Sequence, residues 1–549
     1  MNYQKNIEQL LFYLMIFAPM FVFIQHLGGF ALDIPQNIIS WGFVGIFVSL
    51  ILAKIINRGE ILISKNTKTF AYFVLVVVMT YILNHGFSLD GSMTLLGLVL
   101  SFLLFLSLQQ QKMSLKNILF ILILSAIVQT CISYLQLFNI ISITKYLHIS
   151  ELGISGLLGQ SNIFGIFLVT ALIALYIAIR ETYLDKRYFY LGTLFFNTAI
   201  FSTNSRAGML ASIVIAIIIL FIHKRERQFI FFFIVAYLFS IILYFYFLMG
   251  GSSEELNPVK LMKYSNKTMT GDPVRFDLYT IAFKIFINNW TTGIGYDNFA
   301  INFFHKIREI GTNNPFLLNW EFRHPHNEIL YWALMGGVIN LIGLVILVGK
   351  YIYDNYKNIN IRYLFLIPIL ISLIVEHPFI NSTALLLLFM LFICLTENEN
   401  KYKKINFYLH LSIKRILFVF LFVVSIISVY VSWNGIMNIN HSVYLHQNQH
   451  NIASLKTVEN MPLPLIGKDL LNDKINQTIF NFAVLTKDPQ VIENSLIYWK
   501  KRAESYPKQS FLSKIYHLYY LQQNKKKMTE LEDRLSNLYN KKFETVINE

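Results

Sequence analysis

Thirteen stretches of this chain are apolar, most of them over close to the ~20 residues at which an α-helix crosses a bilayer and a short pair over 13 and 15. They fall near 10–27, 38–56, 69–85, 93–108, 115–138, 161–179, 188–203, 207–223, 228–249, 328–349, 363–375, 382–396 and 416–433. No water reaches a backbone inside lipid, so spans of this kind must form helices that satisfy their own hydrogen bonds. The sequence therefore predicts an all-α polytopic membrane protein with about 13 transmembrane helices. Composition agrees: 55% of the residues are hydrophobic and 14% charged, against about 25% charged in a soluble domain. A soluble globular enzyme and a disordered chain are both excluded. The net charge of +15 suits a nucleic-acid-binding protein, but such a protein needs a soluble basic face. The apolar blocks leave little room for one, and no nucleic-acid partner is expected.

The basic residues give an orientation. With a cytoplasmic N-terminus and strict alternation, the short segments on the cytoplasmic side hold 21 Lys and Arg, and those on the other side hold only Lys145 and Arg206. Only Lys54 and Lys116 fall within the span ranges, each within three residues of the cytoplasmic end. This is the positive-inside pattern, from which long loops and tails are exempt. The N-terminal apolar run reads as a first span, not as a cleaved signal peptide, because it lacks a small-residue cleavage site and further spans follow at once. Cys131 and Cys394 lie within spans, so no disulfide is expected in the extramembrane parts.

The organisation expected is an N-terminal transmembrane bundle (1–249), a large exported loop (250–327), further spans (328–433) and an exported tail (434–549). In the loop, Asp272 and Pro273 offer an N-cap and a first-turn proline. From there Phe276, Tyr279, Phe283, Phe286, Ile287 and Trp290 recur at near-helical spacing, which predicts a helix lying on the membrane surface or capping the bundle. In the tail, 469–485, 490–505, 510–523 and 526–540 read as amphipathic helices. They are either stacked hairpins in the manner of tetratricopeptide repeats or a plain helical bundle.

The chain has no phosphate-binding glycine loop, no dinucleotide fingerprint and no paired carboxylates within spans. What remains for chemistry is polar and lies at the exported face. It comprises Gly159-Gln160-Ser161-Asn162, Asn204-Ser205-Arg206, Arg275, and Arg323-His324-Pro325-His326-Asn327-Glu328. Each cluster falls at the start of a predicted helix. Free N–H groups and the helix dipole favour anions there, and arginine adds forked hydrogen bonds to phosphate oxygens. A histidine close by can take a proton near neutral pH. Each residue also has a plainer role open to it. Arg206 and Arg323 can be headgroup-bound charges, His324 a helix cap, and Gln160 a helix-start hydrogen bonder. His324 and His326 lack a third ligand at any evident spacing, so no metal is expected.

These residues resemble a known family. His326-Asn327-Glu328-Ile329-Leu330 followed by Gly336-Gly337 is similar to the "HN-x-x-L…G" signature of the Wzy_C superfamily. That superfamily includes O-antigen ligases, O-antigen polymerases and PglL-type protein O-oligosaccharyltransferases. Ser205-Arg206-Ala207-Gly208 resembles its Ser-Arg-x-Gly element, and Arg275 with Gly293-Ile294-Gly295-Tyr296-Asp297-Asn298-Phe299 resembles its "R…G-x-G-x-x-x-F" loop. Gly159-Gln160-Ser161-Asn162 resembles the Gly-Gln-Pro-Asn element of the PglL branch, with Ser161 in place of proline. Glu376-His377-Pro378 stands where that branch has Glu-Tyr-Pro. The resemblance implies a GT-C-like fold in the bacterial inner membrane. It implies transfer of a whole glycan from undecaprenyl diphosphate to an acceptor hydroxyl at the periplasmic face, inverting and without a metal or cofactor. For the PglL branch the acceptor would be a Ser or Thr of an exported protein such as a pilin.

Carried over, Arg206 and Arg275 would bind the diphosphate and His326 would orient or deprotonate the acceptor. Gln160, Asn162, Asn327, His324, Arg323 and His377 would contact substrate. Three rivals stay open: a ligase or polymerase of the same superfamily, a transporter for a lipid-linked glycan, and a non-catalytic envelope scaffold.

Overall fold

The computed structural model describes residues 2–22, 24, 31–86, 92–111, 114–137, 154–250, 273–310, 317, 322–356, 360–397, 402–459, 461, 462, 464–466, 468–505 and 508–539. Within them the chain is an all-α polytopic membrane protein. Its helices are α1 (Asn2–Phe17), α2 (Pro35–Arg58), α3 (Lys65–His85), α4 (Ser92–Gln109), α5 (Leu115–Leu137), α6 (Ser161–Arg180), α7 (Lys186–Ser202), α8 (Arg206–Ile222) and α9 (Arg227–Gly250). Then follow α10 (Pro273–Asn288), α11 (Phe299–Ile310), α12 (Glu328–Asn355), α13 (Leu366–Val375), α14 (Thr383–Thr396) and α15 (Leu411–Gln447). The tail adds α16 (Lys468–Thr486), α17 (Pro489–Ser505), α18 (Gln509–Leu521) and α19 (Lys525–Tyr539).

Each of the thirteen apolar runs falls largely on helix where it is described, with residues such as Val22, Ile24 and Ser382 outside one. Among the described residues, seven helices are long and apolar enough to cross a membrane, and five shorter apolar helices accompany them. The first run is shorter than expected. It passes at Ala18 into a 3-10 turn that contains Pro19, a residue that cannot donate to the preceding turn.

Packing divides the chain into two compact units that cut across sequence order. The first comprises Met1–Ala71, Val99–Thr268 and Ile346–Trp433. Its centre is α6, on which every residue from Ile163 to Ile179 is buried. A helix apolar all round suits such a position, and α5, α7, α8 and α13 pack against it. Between α5, α6 and α7 lies an almost wholly apolar cavity of about 850 Å³, lined by Phe120, Leu124, Leu175, Leu191 and Phe195 among others. Strands β1 (Glu60–Ile63) and β2 (Lys403–Asn406) form a small antiparallel pair with Glu60 opposite Asn406. Beside it the buried carboxylate of Glu397 accepts hydrogen bonds from Ser64, Asn66, Gln109 and Tyr402.

The second unit comprises Tyr72–Leu98, Met269–Val345 and Asn434–Glu549. The loop helix expected from Pro273 is α10, while Asp272, its expected cap, lies outside the described residues. The apolar stripe read from the sequence is not the face that α10 buries. Leu278, Ile281, Ala282 and Ile285 are buried, whereas Phe276 and Phe283 are 73% and 54% exposed. The helix is apolar on two sides, and spacing alone does not tell which side meets protein. The four tail helices match expectation to within two residues at each end and pack in succession, α16 on α17, α17 on α18 and α18 on α19. Leu471, Ile492, Leu496, Trp499, Leu512 and Leu518 form their core.

Candidate active site

In the first unit, the Gly-Gln-Ser-Asn element opens α6. Gln160 occupies the N-cap position without capping through its side chain, so its amide is not consumed by the helix start. Asn162, the second residue of the helix, donates a 2.8 Å hydrogen bond to the buried Glu376 carboxylate. This joins two of the elements singled out from sequence. The approach to Gln160 is held by buried amides that sequence reading passed over. Gln129 accepts from Leu157 N–H at 2.8 Å, Gln136 both donates to and accepts from the Gly156 backbone, and Gln36 donates to the Leu157 carbonyl. Isolated amides inside otherwise apolar runs were the available signal, because such groups are costly in a membrane unless paired. His377 is wholly enclosed and precedes the one-turn helix Pro378–Asn381.

Arg206 is the first residue of α8 and is exposed. Ser205 caps the helix, accepting from Gly208 N–H at 3.0 Å. Asn204, just before, has the left-handed backbone (φ +54°) and its side-chain oxygen accepts from Tyr244 Oη at 2.9 Å. Non-glycine residues rarely adopt this conformation, and where they do the surroundings must hold it.

The second unit repeats this arrangement at His326. Its φ is +51°, and Tyr279 Oη donates to its carbonyl at 3.0 Å. Tyr279 lies one turn after Arg275 on α10, so the helix that carries the arginine also grips the backbone of the histidine. The His324 and His326 rings meet edge to face with centroids 4.7 Å apart. On the other side Phe322 lies against His326, Phe303 against Phe322 and Phe299 against Phe303. The last residue of the "G-x-G-x-x-x-F" element thus begins an aromatic chain that ends on the histidine. Asn327 caps α12, its side-chain oxygen accepting from Leu330 N–H at 2.9 Å. Arg323 is exposed and His324 buried.

The two glycine motifs of this unit are interlocked. Helix α12 is broken at Gly336 and Gly337, the latter with φ +67° and ψ −159°, a conformation essentially reserved for glycine. The carbonyls of Leu334 and Met335 accept from Ile294 and Gly295 N–H at 2.8 and 3.1 Å, and Val338 N–H donates to the Trp290 carbonyl at 2.7 Å. A Cβ on Gly293 would lie 2.4 Å from the Leu334 carbonyl oxygen, and one on Gly337 would lie 2.2 Å from that of Thr291. Asn84 donates to the Thr292 carbonyl at 2.6 Å, and His85 Nε2 accepts from Tyr296 N–H at 2.8 Å. Beneath, Thr80, Tyr296 and Asn340 form a closed buried triad with contacts of 2.7–2.9 Å. Burial raises the Tyr296 phenol above its ordinary value, against the hydrogen bonds from Thr80 and Asn340, and keeps it neutral. Thr80, Asn84, His85 and Asn340 were missed from sequence because they lie within or at the ends of apolar runs and belong to no motif pattern.

The chain is thus a polytopic helical membrane protein with arginines and a left-handed histidine at or near helix starts. Family models place it further. The O-antigen ligase family Wzy_C matches residues 191–347, and Wzy_C_2, described as virulence factor membrane-bound polymerase, C-terminal, matches residues 362–547. The chain belongs to the Wzy_C superfamily. The first match contains Arg206, Arg275 and His326, and the second contains His377 and most of the tail. No curated protein matches the sequence.

Proposed function

We propose that this protein is a protein O-oligosaccharyltransferase of the bacterial inner membrane. It moves a glycan as a block from undecaprenyl diphosphate to a Ser or Thr hydroxyl of an exported protein, such as a pilin, on the periplasmic face. The observation that carries this reading is the tie between Arg275 and His326. A cation fit for a diphosphate and an imidazole fit for an acceptor hydroxyl are linked through the Tyr279 hydrogen bond. In this reading His326 orients the hydroxyl and accepts its proton as the oxygen attacks the anomeric carbon. The bond to the diphosphate breaks on the opposite side, which inverts the centre. Arg275 and Arg206 offset the negative charge gathering on the leaving diphosphate, a task that fixed guanidinium groups perform without a metal. Gln160 and Asn162 contact glycan or acceptor, with Glu376 fixing the Asn162 amide. Arg323, His324 and His377 are assigned to substrate contact in the same reading.

The test is His326→Ala, expected to lower transfer by about 10²–10⁴-fold while the protein accumulates normally in the membrane. It is read by intact mass of the acceptor after co-expression with a lipid-linked glycan. Near-normal transfer would remove His326 from the mechanism. A ligase or polymerase reading is favoured by the descriptions of the two matching families. A deletion strain that loses long lipopolysaccharide chains and keeps its glycoproteins would decide for that reading.

A further inference from the structure

The cavity between α5, α6 and α7 is a place that the transfer reaction does not use. It holds about 850 Å³, within the roughly 300–1,000 Å³ of ligand pockets. On α5 its lining runs from Phe120 to Tyr134, which at 1.5 Å per residue is about 21 Å of helix. A chain entering from one membrane face could therefore lie along it through the whole of that leaflet, about 15 Å of hydrocarbon. Leu124 on α5 and Leu191 on α7 both line the cavity and are exposed, so it opens sideways toward lipid. At its far end the hydroxyls are spent on backbone. Tyr134 Oη donates to the Phe195 carbonyl at 2.8 Å, and Thr198 Oγ1 to the Leu194 carbonyl at 2.7 Å. That end offers hydrocarbon no unpaired polar group.

The near end lies where α5 begins and α6 passes into α7, and Leu184 and Tyr188 line it. In the orientation read from the basic residues this is the cytoplasmic boundary. Lys116, the second residue of α5, stands at this mouth. Its Nζ lies 5.9 Å from the ring centroid of Phe120, which lines the cavity, and 5.7 Å from that of Tyr183, the neighbour of Leu184. Two aromatic faces hold an ammonium in place without neutralising it. Lys186 and Arg187 at the same boundary are matched by Glu226 at 2.9 Å and Asp185 at 3.7 Å, whereas among the described residues no carboxylate lies within ion-pair distance of Lys116. An apolar groove left empty forfeits dispersion contacts, so chains of the bilayer fill it. A cation fixed at the mouth favours a chain whose head is negative.

We propose that this cavity binds an anionic phospholipid from the leaflet in which α5 begins, with an acyl chain along α5 and the phosphate against Lys116. The mouth lies beyond the last residue of α6 and Gln160 before its first, about 30 Å of helix apart. The site is thus separate from the residues assigned to glycan transfer and does not depend on that assignment.

The experiment is native mass spectrometry of the full-length protein in detergent. It is titrated with dioleoylphosphatidylglycerol or with dioleoylphosphatidylcholine, which carries the same chains and no net charge. The first phosphatidylglycerol should bind about fivefold more tightly than phosphatidylcholine, the effect of one lysine on an anionic lipid. Lys116→Gln should bring the two lipids level, and Lys116→Arg should keep the preference. Leu124→Trp/Leu191→Trp, which fills the groove from its exposed rim, should weaken both lipids by about tenfold or more, since two lost methylene contacts already cost that much. Equal affinity for the two lipids in the wild type, a preference that survives Lys116→Gln, or unchanged binding in the tryptophan variant overturns the proposal. Undecaprenyl phosphate that displaces phosphatidylglycerol when added in equal amount would assign the groove to a polyprenyl chain, and would overturn it as well. Lys116→Gln alters an exposed residue and leaves the buried packing alone, so it decides the question even where the tryptophan variant fails to fold.

Discussion

Gly337→Ala tests the join between the two glycine motifs. The native φ and ψ are closed to alanine, which costs about 1–3 kcal/mol. The added Cβ would also lie 2.2 Å from the Thr291 carbonyl oxygen, 2.4 Å from its carbonyl carbon and 2.7 Å from Thr292 N. These are backbone atoms, so the loop itself must move, and the three hydrogen bonds between 290–295 and 334–338 go with it. At about 0.5–1.5 kcal/mol each, their loss with the strain gives a local destabilisation of roughly 3–7 kcal/mol. Gly349 of the same helix is the control. A Cβ there meets nothing within 4 Å, and alanine should be neutral or gain about 0.5–1 kcal/mol. Hydrogen exchange in detergent supplies the measurement. The amides of Ile294, Gly295 and Val338 should exchange at least about 100-fold faster in Gly337→Ala, since each 1.4 kcal/mol is a factor of ten. They should be unchanged in Gly349→Ala. Equal protection in the two variants would refute the interlock.

Three further outcomes are expected. Tyr279→Phe removes the hydrogen bond that holds the left-handed His326 backbone; it should lower kcat for transfer while leaving the donor KM in place, and an unchanged kcat would show that Tyr279 does not act through His326. Arg275→Lys should lose at least about tenfold in transfer if the guanidinium grips phosphate oxygens as a fork, whereas wild-type activity would reduce it to a surface charge. Lys514 binds its proton less tightly in the folded tail, at about 8, than at its ordinary 10.5. The unfolded chain therefore holds more protons between those values, so tail stability should rise as pH increases from about 8 to 10, and a melting series should lose that slope in Lys514→Met.

The fold was legible because lipid imposes a single solution on long apolar runs, and the tail helices were legible from their amphipathic pattern and breaks. Arg206, Arg275 and the stretch around His326 could be read from motif order. The structure places each at or just before a helix start. Less visible was whatever depends on contacts between distant segments. The sequence stripe on α10 is one of two apolar faces, and the second, Leu278 to Ile285, which packs against protein, was not singled out. Asn327 caps α12 with its side-chain oxygen, a local role that the motif by itself does not reveal. Tyr279 appeared only as one aromatic in a stripe, and its bond to His326 spans 47 residues of sequence. Thr80 and Asn340 join across 260 residues, and no local pattern anticipates that pairing.

The enclosure of α6 bears on how the protein is made. Part of its sheath is α13 and the 3-10 turn before it, which begins at Ile361, about 180 residues after α6 ends. During synthesis α6 therefore enters the bilayer with one flank open to lipid and keeps it open until most of the chain has emerged. Its surface from Ile163 to Ile179, apolar but for Thr170, which bonds its own helix, and Tyr176, which bonds His223, makes that wait tolerable. A polar residue on that flank that found its partner only in α13 would be stranded in hydrocarbon through this interval. The side chains of α6 thus answer to two environments in turn, lipid during assembly and protein afterwards.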